Sequence, residues 1–131
     1  MNTYDYYLTL IRPTWAPPAW IFGPVWTVLY IIIAVTFGYV LYQCWKGKLT
    51  RGTFFPFMLN IIFNLAFTPI QFGLQNNLLA SLDIILVLIT LLWAMFSIQK
   101  KYTWVALANF PYLVWVSFAT VLQLTVTYLN L

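Results

Sequence analysis

Residues 15–35 read WAPPAWIFGPVWTVLYIIIAV, three tryptophans and three prolines leading into an unbroken apolar run. Pro17 and Pro18 stand where a helix can begin, because the first helical residues have no intrahelical use for their backbone N–H. Pro24 follows about one turn later, still near the end of the segment. Trp15, Trp20 and Trp26 suit a membrane surface, where the ring is apolar while the indole N–H finds water or a carbonyl. The run therefore reads as a proline-started helix passing into lipid through an aromatic belt. Composition points the same way: 63% of the residues are hydrophobic and 6% charged, and the mean hydropathy is +0.88. A soluble domain carries near a quarter of charged residues.

Three more apolar segments follow. The predicted spans are roughly 19–45, 53–74, 78–98 and 104–129, each longer than the roughly 20 residues needed to cross about 30 Å of hydrocarbon. The breaks KGKLTRG, QNN and QKKYT are short and polar, which makes neighbouring helices antiparallel. The fold class expected is an all-α membrane protein, an antiparallel bundle of four transmembrane helices in a single domain over residues 1–131. Residues 1–18 form an interfacial lead-in. MNTYDYYLTLIR has an acid, three tyrosines and no apolar core, so it does not read as a cleavable signal. Lys46, Lys48, Arg51, Lys100 and Lys101 fall on one side of the membrane, and Arg12, with Asp5 near it, on the other. The positive-inside rule then puts both termini on the non-cytoplasmic side. That asymmetry accounts for the net charge of +4 without nucleic acid as a partner.

The chain has no histidine and one cysteine, Cys44. This removes the usual general base, the usual haem ligand and any internal disulfide, and leaves no expected metal site or catalytic residue. What stands out is polarity inside the spans. Asn60, Asn64, Thr68, Gln71 and Gln75 recur at steps of three and four, one face of a helix. Amides in hydrocarbon must face other helices or a wet cavity, so the stripe is either interhelical glue or a pocket lining. Trp26 and Tyr30, at i and i+4, share a face pointing into the bundle. Asp83 is the only acid in a span and so a functional candidate, expected to pair with Arg12 or with an indole or amide donor. In the last span Tyr112, Trp115, Ala119 and Leu122 form an aromatic-to-small ridge. The residues expected around a ligand are Trp26, Tyr30, Asn60, Asn64, Asp83, Trp115, Ala119 and Leu122.

YYLTLIRPTWAPPAWIFGPVWTVLY (6–30), NLAFTPIQFGL (64–74), Asp83 and PYLVWVSFATVL (111–122) resemble, in order, the tryptophan-rich sensory protein / translocator protein (TspO) family, over nearly the whole chain. The resemblance implies a pocket for porphyrins, related tetrapyrroles and isoquinoline ligands, lined by Trp26, Asn64, Trp115, Ala119 and Leu122. Trp26 and Trp115 match the tryptophans implicated in light-dependent porphyrin breakdown by some bacterial members. It also implies departures. The family has five spans, and this sequence starts where the first has ended, so the cavity is expected to be open to lipid, closed by a second copy or covered by a partner helix on that flank, with self-association the leading expectation. Phe67 and Leu79 stand where tryptophans are usual or common, and Gln123 where asparagine is. No basic residue follows Tyr128, so the sterol-recognition pattern is incomplete.

The leading function is therefore an integral membrane receptor or translocator-like protein binding a porphyrin-like, flat aromatic molecule. No cofactor is required, and a metal-free porphyrin is favoured over haem in a chain without histidine. Photo-oxidation of the bound porphyrin is the one enzymatic reading, with the chemistry belonging to the ligand. The alternatives are a four-helix proton-coupled exporter of the small multidrug type, or a structural partner subunit in the membrane.

Overall fold

The computed structural model describes residues 9–130. The part of the lead-in before residue 9, with Asp5, lies outside the described residues. A single 3-10 turn, Ala19–Ile21, leads into α1, Phe22–Trp45. Pro24 is the third residue of α1, where its absent N–H has no partner to lose. Gly47 ends the helix in the left-handed region, φ 81°, which glycine adopts without a Cβ penalty. The turn is closed by the Lys48 and Leu49 N–H groups donating to the Gln43 carbonyl.

The second span, α2, is Arg51–Thr68 and runs on through a π turn, Pro69–Gly73. The sequence predicts a bend at Pro69 with a freed carbonyl. The structure answers the missing N–H by widening the helix: Leu74 N–H donates to the Pro69 carbonyl at 2.9 Å, a step of five instead of four. The polar stripe holds through the turn and then ends. Asn60, Asn64 and Gln71 are buried, Thr68 is more exposed, and Gln75 leaves the helix at φ 53°.

Helix α3, Asn77–Ile98, opens on Asn76, whose side-chain oxygen accepts from Leu79 N–H at 3.0 Å. Replacing that cap by Asn76→Ala is expected to cost about 1 kcal/mol, read as a lowered thermal midpoint of the detergent-solubilised protein; an unchanged midpoint would show the cap to be idle. The last span differs from the single helix predicted over 104–129. It divides into α4, Thr103–Ala108, and α5, Phe110–Leu129. At the joint the buried Asn109 donates through Nδ2 to the Val105 carbonyl at 2.8 Å and to Thr36 Oγ1 at 3.1 Å. Pro111, which cannot donate, sits in the first turn of the new helix.

Among the described residues four helices remain long and apolar enough to cross a membrane, and the fold is an all-α membrane bundle. Side-chain contacts fix its directions. Phe37 meets Phe57 edge-on at 4.8 Å, Asn60 reaches Val87 and Thr90, and Gln71 reaches Asn77. Consecutive spans are therefore antiparallel. Helix α3 is central: it packs along α2 on one side and α5 on the other, and Ala80, Ile84, Val87, Leu91, Ala94 and Ile98 are almost fully buried. Helix α1 leans on α2 and α4, and its backbone scarcely approaches α5.

Candidate functional site

The gap between α1 and α5 has a consequence on the inner side. A cavity of about 270 Å³ lies among α1, α2, α3 and α5, at the end of the bundle away from Lys46, Lys48, Arg51, Lys100 and Lys101. From α1 it is walled by Phe22, Gly23, Trp26 and Tyr30, with the Trp26 and Tyr30 rings 5.5 Å apart and tilted by 31°. Phe67 and Phe72 contribute from α2 and its π turn, Ile84 and Val87 from α3, and Trp115, Ala119 and Leu122 from α5. Leu10 of the lead-in borders the cavity as well. The next residue is held by a reciprocal pair: Ile11 N–H donates to Asn130 Oδ1 at 3.1 Å, and Asn130 Nδ2 donates to the Ile11 carbonyl at 2.9 Å.

Polar groups sit at both ends of these aromatic walls. At the inner end Tyr30 OH donates to Asn64 Oδ1 at 2.9 Å, and Asn64 Nδ2 donates to Tyr112 OH at 2.6 Å. Tyr112 OH passes the chain on to Asn60 Oδ1 at 2.8 Å, and Asn60 Nδ2 donates to the Val87 carbonyl at 2.9 Å and to Thr90 Oγ1 at 3.2 Å. This relay ties all four spans together. At the outer end Gln123 Nε2 donates to Gln71 Oε1 at 3.2 Å, and Gln71 Nε2 donates to Asn77 Oδ1 at 2.8 Å. Thr127 and Ser81, 2.6 Å apart, back this second cluster.

Of the residues singled out in the sequence, Trp26, Tyr30, Asn64, Trp115, Ala119 and Leu122 all border the cavity. Asn60 and Asp83 do not. Asn60 is fully buried one turn deeper, where α2 meets the Val87 carbonyl, so Asn60 serves between helices alone, whereas Asn64 both bonds across to α1 and α5 and lines the cavity. Asp83 shares the helical face of Val87 and Thr90, the residues that Asn60 bonds, and so faces α2. Its side chain is buried, and Oδ2 has no hydrogen-bond partner. The sequence reading missed Tyr112 as the hub of the relay and Gln123 as a lining residue. Both continue the Trp115–Ala119 face at helical spacing, which was the available signal. One lining residue is incompletely bonded: the buried Nε1 of Trp115 has no hydrogen-bond partner, although a buried indole N–H usually finds one.

The arrangement is that of a small-molecule site, concave and largely apolar with a few fixed polar groups. Among the described residues no cluster of His, Cys, Asp and Glu could hold a metal ion.

Comparison with known proteins extends the picture along the whole chain. The model of the TspO/MBR family matches residues 1–129. A tryptophan-rich protein TspO of Chlorobaculum tepidum is 36% identical over 125 residues, covering 95% of this chain and 79% of the relative. A second, from Bacillus cereus, is 38% identical over 128 residues, 95% of this chain and 80% of the relative. The human translocator protein is 34% identical over 128 residues, 90% of this chain and 70% of its own length.

Proposed function

Because the chain belongs to the TspO/MBR family, we propose that it is an intramembrane receptor of the translocator type for a flat aromatic ligand, a metal-free porphyrin or a similar tetrapyrrole. The observation that carries this reading is the cavity itself, with indole and phenyl faces along its walls and amides at its two ends. Such walls suit a thin conjugated ring, which stacks on aromatic faces and takes few hydrogen bonds. The absence of histidine from the sequence favours the ring without iron. Among the described residues no acid–base pair borders the cavity, so breakdown of a bound porphyrin in light would draw its chemistry from the excited ligand. The five basic residues at the opposite end support a cytoplasmic location for that end, and in this reading the cavity and both termini lie towards the non-cytoplasmic side.

Titrating the purified protein with protoporphyrin, followed by quenching of tryptophan fluorescence, tests the reading. Saturable binding is expected, weakened about tenfold by Trp26→Ala through loss of one stacking face. Quenching that never saturates, or equal binding by the variant, would exclude this cavity as the site.

A further inference from the structure

Trp115 borders two spaces, not one. On its inner side lies the cavity; on its outer side a wholly apolar groove runs between α1 and α5, lined by Pro24 and Val28 on one bank and by Pro111, Val114 and Phe118 on the other. Val28 and Val114 are both more than half exposed, on a surface that in a membrane-spanning bundle meets acyl chains. We propose that this groove is a lateral portal from the bilayer hydrocarbon into the cavity and that the Trp115 side chain is its movable door.

Three observations support the door. The indole N–H has no hydrogen-bond partner, so no directional bond opposes rotation of the ring. Its ring contacts are with Phe22, edge-on at 5.9 Å, and with Phe118, tilted at 5.6 Å; such contacts are weak and easily exchanged for those of another aromatic ring. The α1 and α5 backbones scarcely approach each other, so no packed helix interface has to part. At the water-facing end the lead-in is held instead: Leu10 borders the cavity, and the paired Ile11–Asn130 hydrogen bonds pin the lead-in to the end of α5. The inference deepens the receptor reading and takes the identity of its ligand from it: a flat, bilayer-soluble aromatic molecule enters from lipid and not from water. The cavity, about 270 Å³, lies just below the roughly 300–1,000 Å³ usual for ligand pockets. A tetrapyrrole therefore gains room if a wall yields, and no hydrogen bond holds the Trp115 ring in place.

The test does not depend on the ligand. In a Cys44→Ser background, Ala119→Cys places a thiol in the cavity of the full chain in vesicles. Its labelling is timed with a long-chain N-alkyl maleimide dissolved in the bilayer and with a sulfonated, membrane-impermeant maleimide in the water. The portal predicts faster labelling from the bilayer, slowed about tenfold by Val114→Trp, which obstructs the groove, and sped up by Trp115→Ala. Asn130→Ala, which releases the lead-in, leaves the bilayer rate unchanged. Equal or faster labelling by the sulfonated reagent, labelling by neither, or indifference to Val114→Trp overturns the portal. Loading of protoporphyrin from vesicles should slow by the same factor in Val114→Trp with its equilibrium affinity unchanged. If the parent binds no protoporphyrin, the receptor reading falls while the thiol result still decides the portal.

Discussion

Ala119→Trp is expected to weaken protoporphyrin binding at least about 100-fold, equivalent to about 3 kcal/mol, while leaving the bundle as stable as the parent. Ala119 sits on α5 between Trp115 and Leu122 and borders the cavity. An indole introduced there projects into empty space instead of into packed side chains. Enlarging a residue in a filled core usually costs about 1–3 kcal/mol; filling a void commonly adds about 0.5–2 kcal/mol of stability instead. The two readouts therefore move apart, and that separation makes the experiment informative. Undiminished binding with an unchanged thermal midpoint would mean that the ligand sits elsewhere. A sharp fall in the midpoint would mean that the space is not empty.

The second large effect concerns the relay at the inner end. Tyr112 is fully buried, and its hydroxyl both donates to Asn60 and accepts from Asn64. Tyr112→Phe removes one oxygen and strands two amide groups, and each unsatisfied group costs about 1–3 kcal/mol when buried. Because Asn64 borders the cavity and can turn to water there, the expected loss is about 2–4 kcal/mol. Tyr30→Phe cuts the same relay at its outermost link. Tyr30 is 42% exposed, so that change should cost under about 1 kcal/mol, nearer the usual value for hydrogen bonds between membrane helices. Unfolding in mixed micelles compares the two. Equal costs would contradict a graded relay running from the cavity wall to the core.

The four spans were legible in the sequence because crossing lipid leaves a coarse signature, long apolar runs punctuated by short basic or amide-rich breaks. The face of α2 was legible too, since amides in hydrocarbon must turn inward. Which amide does what was not. Asn60 and Asn64 are one turn apart on the same face, yet α3 brings the Val87 carbonyl within 2.9 Å of the first, whereas the second meets a gap. That difference is set by how closely other helices approach, which no local pattern records. Thr68 and Gln71 border the cavity with Asn64, as the stripe predicts, but the π turn at Pro69–Gly73 ends the helix before Gln75, which leaves it at φ 53°. The division of the last span depends on Asn109 reaching Thr36, a residue far away in the chain. For Asp83 the sequence supplied the burial but not the surroundings, and Oδ2 ends without the partner expected of it.

The engagement of the inner relay has a consequence for selectivity. Asn64 has its oxygen bonded to Tyr30 and one of its N–H groups to Tyr112, which leaves a guest one lone pair and one N–H there, beside the indole N–H of Trp115, within walls that are otherwise largely apolar. Sites that must bond to a guest reject an analogue lacking the matching group by about 10⁴-fold or more, whereas greasy sites discriminate by about 200-fold at best. Any guest of this cavity would consequently be sorted mainly by contour and thickness, and several planar chemotypes of similar outline should be tolerated alike. Promiscuity of this kind would follow from amides that spend their first bonds on one another.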